Sequence, residues 1–120
     1  MNSATTPLRT TGRRPMAEPA RDEIWWAELP DRAARPYLIL TRTQAIPVLR
    51  RLVVAPITRT VRGIPTEVPL GADEGLPIES VASLDNVETL PKSAFTGRVG
   101  MLGSERRHEV CEALRNVVDC

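Results

Sequence analysis

Arginine and hydroxyl side chains are the groups of this 120-residue chain with the chemistry to act on a substrate. His108 is the only histidine, so one chain cannot supply an acid–base pair of histidines, and a serine triad would have to use this residue. Arg35 precedes Pro36, which favours an extended backbone, and Thr58 follows the apolar segment 52–57. A guanidinium is always charged and offers a planar fork of donors that fits a phosphate. Arg35 and Thr58 could serve phosphate chemistry, but a surface-loop arginine and a turn threonine would look the same, so these two residues alone do not identify an enzyme.

The charges of the sequence are separated along the chain, although the net charge is only +1. Residues 32–66 contain seven arginines and no acidic residue, whereas residues 67–90 contain six acidic residues and no basic one. Such one-sided segments are typical of a positive surface that binds a polyanion, although solvated arginines in a GC-rich genome would give the same pattern.

Other classes of site lack their sequence signals. Neither G-x-x-x-x-G-K-[ST] nor G-x-G-x-x-G is present, so nucleotide cofactors have no standard cradle. Without a CxxC motif or a histidine pair, zinc is not expected, and Cys111 and Cys120 are expected to be free thiols. No apolar run approaches the roughly 18 residues of a membrane span, and the N-terminus does not resemble a secretory signal. We expect a cytoplasmic protein that uses no cofactor or metal and no membrane.

Short β-strands must position this chemistry, because aliphatic and β-branched segments alternate with turn residues. The predicted strands are 23–29, 36–43, 51–57, 66–70, 80–84, 86–90 and 98–102. A polar loop is predicted at 30–35, a turn at Gly63, and single helical turns at 44–49 and 91–95. Six or seven short strands with regular turns favour a small closed barrel over a parallel sheet.

A terminal helix and an N-terminal extension complete the predicted organisation. Ser104 follows Gly103 and is predicted to cap the helix. The residues predicted to form its apolar face are Val110, Cys111, Leu114, Val117 and Val118. Residues 1–20 lack periodicity and are predicted to be a disordered basic arm, which leaves 21–120 as one domain.

Five segments in order resemble the MazF/PemK family of toxins. They are Arg35-Pro36-Tyr37-Leu38-Ile39-Leu40, Val54-Ala55-Pro56-Ile57-Thr58, Glu79 to Val87, Gly97-Arg98-Val99-Gly100-x-Leu102, and Glu109 to Leu114. They are similar to the family's R-P-V-L-V-I, its strand ending in I-T, its D-S-V…Q segment, its G-x-[VIL]-G-x-L turn and its terminal helix. The resemblance covers about residues 22–118.

The resemblance implies a mainly β SH3-like barrel with a C-terminal helix that forms a homodimer and cuts single-stranded RNA. It implies that Arg35 and Thr58 are the catalytic pair, and that no metal is used. The ribose 2′-hydroxyl would attack its own phosphate and leave a 2′,3′-cyclic phosphate and a 5′-hydroxyl. Asn86 stands where the family's base-contacting glutamine lies, and Arg42, Arg59 and Arg62 are candidate contacts to the RNA backbone. A cognate antitoxin with an acidic, disordered tail would fill the RNA groove.

Two other functions remain open from the sequence. One is a non-catalytic toxin like CcdB, which binds a protein target such as gyrase through its terminal helix. The other is a basic nucleic-acid-binding module without catalysis, which would bind with a steep salt dependence. The segment 30–35 is shorter than the corresponding loop of many relatives, which bears on the RNA sequence that is recognised.

Overall fold

A computed structural model describes residues 18–118. Among these residues it contains seven strands and one α-helix, which confirms the predicted mainly β class with a C-terminal helix. The elements are β1 Glu23–Leu29, β2 Arg32–Ile39, β3 Arg51–Thr58, β4 Glu67–Leu70, β5 Ser80–Ser83, β6 Glu88–Pro91, β7 Phe95–Met101 and α1 Ser104–Val118. Short 3₁₀ turns at Ile46–Val48 and Lys92–Ala94 lie where single helical turns are predicted.

The central strand of the curled antiparallel sheet is β3. Its residues are largely β-branched or aliphatic and are mostly buried, as expected for a strand with neighbours on both edges. One edge of β3 pairs with β2, and the other pairs first with β6 and then with β5. The path through the sheet runs β4-β5-β3-β2-β1-β7, so the chain curls into a half-barrel.

The first connection of the sheet is shorter than predicted. Only Pro30 and Asp31 separate β1 from β2, so the predicted loop over 30–35 is wrong after its second residue. Pro36 is the reason for the error, because proline favours the start of a strand. Among residues 18–118, residues 32–36 of β2 pair with β1 and with no other strand, which leaves the other edge of this half of the strand open. A missing N–H is tolerated at such an edge.

Two clusters of apolar side chains form the core on the two faces of the sheet. Helix α1 covers one face with Val110 and Ala113, which are buried, while Leu114 and Val117 pack at the margin. Val118 is 62% exposed, so its predicted place on the buried face is wrong, and Ala113 takes that role. The Gly103 carbonyl accepts the Arg107 N–H, which makes Ser104 the first helical residue instead of the cap.

The ends of the chain extend beyond the described residues. Residues 1–17 of the predicted arm lie outside them, as does Cys120. The last residues of the predicted arm, 18–20, contact the domain, since Glu18 forms an ion pair with Lys92 and the Ala20 N–H donates to Glu23. Cys111 is a free thiol. Within residues 18–118 no helix is long and apolar enough to span a membrane.

A close backbone contact holds the loop 71–75 against β7. The Gly100 α-carbon approaches Glu74 and Gly75 so closely that a Cβ at position 100 would overlap the Glu74 carbonyl. The Glu74 side chain is buried and accepts the Gly71 N–H at 2.7 Å, which closes the loop. Strand β7 itself begins at Phe95, three residues before the predicted start.

Candidate active site

Arg35 and Thr58 lie level with each other at a fork between two strands. The antiparallel pairing of β2 and β3 ends at Tyr37–Pro56, and two further residues on each strand lead to Arg35 and Thr58. Beyond this pair β2 continues with β1, whereas β3 turns to pair Thr58 with Val81 of β5.

Two clefts meet at this fork, and Arg35 and Thr58 line both of them. The first cleft has a volume of about 610 Å³ and the second about 400 Å³. The other residues that line the first cleft are Trp26, Ala34, Pro36, Ile57, Arg59, Thr60, Leu76, Pro77, Ile78, Ser80 and Val99. Those that line the second are Arg32, Tyr37, Pro56, Thr60, Arg62, Glu67, Ser83, Asn86 and Glu88.

The guanidinium of Arg35 is exposed and has no hydrogen bond or ion pair with another described residue. The side chains of Arg59 and Arg62 likewise have no hydrogen bond or ion pair with another described residue. Several arginines elsewhere are paired: Arg98 lies 3.1 Å from the Glu23 carboxylate, and Arg107 lies 2.7 Å from that of Asp22. Positive charge at the clefts is therefore available for an anionic ligand.

Thr58 offers an oriented hydroxyl at the fork. As the last residue of β3 it begins a turn, in which its Oγ1 accepts the Thr60 N–H at 3.1 Å. A hydroxyl has one proton and two acceptor lone pairs, so this bond leaves the proton free to donate. Arg35 and Thr58 together can hold and neutralise a phosphate.

Both carboxylates of the second cleft are occupied by hydrogen bonds. Glu88 binds Arg32 through both of its oxygens, at 2.9 and 3.0 Å from one guanidinium nitrogen. These bonds raise the pKa of Arg32, with Glu88 as the largest cause and Asp31 as a lesser one. Glu67 accepts the backbone N–H groups of Arg62 and of the next residue, Gly63, whose positive φ forms the predicted turn.

The predicted nucleic-acid contacts divide between the clefts and the rest of the surface. Asn86 lines the second cleft, and its amide donates to the Ser83 hydroxyl at 2.7 Å, which leaves its carbonyl oxygen without a partner among residues 18–118. Arg59 lines the first cleft and Arg62 the second. Arg42 lies in the segment between β2 and β3 and lines neither cleft.

His108 on the terminal helix is not among the residues that line the two clefts. His108 is exposed on α1, and its nearest ionic partner is Glu112 at 4.0 Å. In the part of the chain that the structure describes, no three His, Cys, Asp or Glu side chains are grouped so that they could hold a metal ion.

Sequence analysis missed Trp26 as a site residue. Trp26 lines the first cleft with 39% of its surface exposed, whereas Trp25 is buried. The signal was available, because adjacent residues of a strand point to opposite faces and two consecutive tryptophans cannot share one face. Thr60 was also missed, and it lines both clefts.

The curled sheet and its covering helix form a small domain with a candidate phosphate site, an arginine and a threonine at a fork of two strands. The chain belongs to the PemK-like, MazF-like toxins of type II toxin–antitoxin systems, whose family model matches residues 20–118. This finding confirms the family inferred from the five sequence segments.

Particular relatives cover most of the chain. The probable endoribonuclease MazF5 of Mycobacterium tuberculosis is 43% identical over 106 residues, which are 87% of this chain and 96% of that protein. The solved structure of the M. tuberculosis toxin MazF-mt6 is similar with a TM-score of 0.76 and 43% identity, over 81% of this chain and 96% of that one. An endoribonuclease from a mycobacterial species, solved with its cognate antitoxin, has a TM-score of 0.76 at 27% identity, over 84% and 95% of the two chains.

Proposed function

We propose that this chain is the toxin of a type II toxin–antitoxin pair and cuts single-stranded RNA as a sequence-selective, metal-independent endoribonuclease. The observation that carries the proposal is the position of Arg35 and Thr58 on the shared wall of two clefts, with the guanidinium unpaired among residues 18–118. Family membership and the names of the relatives support the same activity. Cleavage of RNA in the bacterial cytoplasm would inhibit translation and growth.

The proposed reaction is an internal transesterification. The ribose 2′-oxygen attacks the adjacent phosphorus, the bond from phosphorus to the 5′-oxygen breaks, and the products carry a 2′,3′-cyclic phosphate and a 5′-hydroxyl. The 2′-hydroxyl loses a proton and the leaving 5′-oxygen gains one, so charge and atoms balance. Because RNA supplies its own nucleophile, the protein has to orient the phosphate, stabilise charge and assist proton movement.

Arg35 would bind the scissile phosphate through its fork of donors. The pentacovalent transition state carries more negative charge on its phosphoryl oxygens than the ground state. A fixed cation therefore stabilises it selectively, and preorganised donors of this kind are typically worth about 10²–10³ in rate. Arg35 is a poor general acid, because a guanidinium does not deprotonate at ordinary pH.

Thr58 would donate a hydrogen bond to a phosphoryl oxygen or accept one from the attacking 2′-hydroxyl. The hydrogen bond from the Thr60 N–H to Oγ1 supports this role, because it fixes the oxygen and leaves the proton free. Nucleotides on either side would enter the two clefts, with Arg59 and Arg62 close to neighbouring phosphates. Asn86 would read a base edge through its unpaired carbonyl oxygen.

The proposed partners follow from the same surface. An acidic, disordered segment of a cognate antitoxin would compete with RNA for the free arginines, because both are polyanions. The mycobacterial relative solved with its antitoxin supports such a complex. We also propose that the active form is a homodimer, as the family resemblance implies.

The test is cleavage of a long single-stranded transcript by the purified chain in excess EDTA. We expect discrete fragments that share a short sequence at the cut and carry 5′-hydroxyl ends, which ligate only after treatment with a kinase. Thr58→Val keeps the shape of the side chain and removes the hydroxyl, so we expect a loss on the order of 10²-fold, with rescue by Thr58→Ser. Arg50→Ala is the control, because Arg50 is exposed and lines neither cleft.

Three results would contradict the proposal. They are intact RNA with the wild-type chain, cleavage that needs an added divalent cation, and wild-type rates with Thr58→Val. Growth arrest by a chain that leaves RNA intact would instead favour a toxin that acts on a protein target.

A further inference from the structure

The two clefts beside Arg35 differ in chemistry. The second cleft contains charged and amide groups, including Asn86, Glu67 and Glu88. The first has an apolar wall built from Trp26, Pro36, Ile57, Leu76, Pro77, Ile78 and Val99, and no carboxylate of residues 18–118 lines it. Its volume of about 610 Å³ lies within the range of about 300–1,000 Å³ that is typical of small-molecule pockets.

Trp26 is the aromatic side chain of the first cleft, and its cross-strand neighbours leave it open. On β2 it pairs with Pro36, and on β7 it pairs with Gly97, which has no side chain. A Cβ placed at Gly97 would meet nothing within 4 Å, so the space beside this pair is empty. An indole that is 39% exposed on a strand therefore has room for a flat ligand against it.

We infer that the first cleft is a nucleobase subsite, in which the Trp26 indole stacks on a base of a nucleotide that flanks the scissile phosphate. The inference rests on the proposed function, because Arg35 would hold that phosphate at the mouth of the same cleft. Charge as well as the apolar wall indicates a nucleotide as the ligand, because Arg35 and Arg59 line the cleft without ion-pair partners among residues 18–118. An aromatic platform beside free cations is the combination that binds single-stranded nucleic acid.

The inference assigns different recognition to the two sides of the cut. Stacking tolerates any base, because every base has a π-face, whereas amide and carboxylate groups distinguish bases by their edges. The nucleotide in the first cleft is therefore required as a base but not selected by identity. Sequence selection belongs to the nucleotide in the second cleft, next to Asn86.

The experiment measures binding to RNA that cannot be cut. The cleavage sequence found with the transcript is made as a labelled oligonucleotide with a 2′-deoxyribose at the scissile position. Two further oligonucleotides carry an abasic sugar on the 5′ or the 3′ side of that phosphate. Their dissociation constants are measured for the wild type, Trp26→Ala, Trp26→Leu and Trp26→Phe. Met101→Ala is the control, because Met101 is 44% exposed on β7 and lines neither cleft.

We expect Trp26→Ala to weaken binding on the order of tenfold, within a range of about 5- to 150-fold. Trp26→Leu should lose nearly as much, because a leucine is apolar but has no π-face, and Trp26→Phe should stay within about threefold of the wild type. One of the two abasic RNAs should bind the wild type as weakly as Trp26→Ala binds the intact oligonucleotide. That abasic RNA should lose no further affinity with Trp26→Ala. The sequence preference of the remaining cleavage should be unchanged.

The inference is overturned if Trp26→Leu binds like the wild type, or if the losses from Trp26→Ala and from both abasic sugars simply add. It is also overturned if Trp26→Ala dissociates the protein into monomers, which would assign the indole to a contact between copies, or if it weakens only an acidic antitoxin peptide. Failure of the proposed function is distinguished by the wild type, which then leaves RNA intact. In that case the same variants are compared for binding to unselected single-stranded RNA, and loss with Trp26→Ala but not with Trp26→Phe still supports stacking.

Discussion

Arg35 differs from most of the arginines on the sheet and helix in having no ion-pair partner among residues 18–118. Arg98 and Arg107 are held by Glu23 and Asp22, which are buried, and their charges are already compensated. A paired guanidinium would have to give up its carboxylate before it could bind a phosphate. Arg35 has no such partner among residues 18–118, so its donors are available without rearrangement. This difference favours it as the residue that meets the substrate.

Two substitutions of Arg35 distinguish the effect of its positive charge from the effect of its planar fork of donors. Arg35→Lys keeps the positive charge but loses the planar fork, so we expect RNA affinity close to that of the wild type and a cleavage rate at least about tenfold lower. Arg35→Ala should lower the rate by about 10²–10³. Single-turnover cleavage measures the rate, and a 2′-deoxy oligonucleotide measures the affinity. Wild-type cleavage by Arg35→Ala would remove Arg35 from the chemistry.

The loop 71–75 and strand β7 act as one unit that shapes the first cleft. Gly100 allows the backbone of Glu74 and Gly75 to lie against β7, and Leu76 to Ile78 follow directly as one wall of the cleft. Gly75 itself has a φ of 90° and would bring a Cβ to 2.6 Å from the Val99 carbonyl, so both glycines are required for space. The G-x-V-G-x-L motif thus has a structural reason at its second glycine. At its first, Gly97, the space is open.

At the element scale, Gly100→Ala should lower the free energy of unfolding by about 1–3 kcal/mol, because the new methyl group has to push the Glu74 carbonyl away. Gly97→Ala is the matched control in the same strand. It meets no atom within 4 Å and should leave the stability unchanged or raise it by about 0.5 kcal/mol. Urea unfolding followed by tryptophan fluorescence measures both. Equal stability of the two variants would show that the loop does not depend on this contact.

Across the whole molecule, the folded sheet sorts the arginine-rich segment into two groups. Arg32, Arg35, Arg59 and Arg62 reach the clefts, whereas the other three arginines of residues 32–66 do not. The acidic segment 67–90 supplies Glu67 and Glu88 to the second cleft, where both are already bound. The clefts therefore present net positive charge, although the chain as a whole carries only +1.

At the scale of the molecule, salt dependence measures how many of these arginines contact phosphates. Each contact to a single strand contributes about −0.7 to the slope of log K against log salt concentration. Arg59→Gln and Arg62→Gln should each make the slope shallower by about this amount, and Arg50→Gln should leave it unchanged. Arg42→Gln decides whether the predicted contact at that position exists outside the clefts. Unchanged slopes for both cleft variants would contradict an RNA groove along the fork.

Local patterns were enough to predict much of the fold. Strand β1 lies at the predicted residues 23–29, and α1 begins one residue before the start that a Ser104 cap predicts. Apolar periodicity and glycine and serine signals are properties of neighbouring residues. The pairing of Arg35 with Thr58 as candidate site residues also came from the sequence, through the family resemblance. The predicted start of β2 was wrong. The strand tolerates Pro36 in its interior because one of its edges is open there, and no local pattern reveals an open edge.

The sequence by itself determined which elements form and which side chains carry the chemistry, since both depend on residue type and short-range spacing. Only the tertiary structure decided that Arg35 is unpaired, that two clefts of different character meet beside it, and that Trp26 rather than Trp25 faces one of them. These features depend on where β2 and β3 diverge and on what packs across the sheet. The physical reason is that strand register and divergence are set by contacts between residues far apart in the chain.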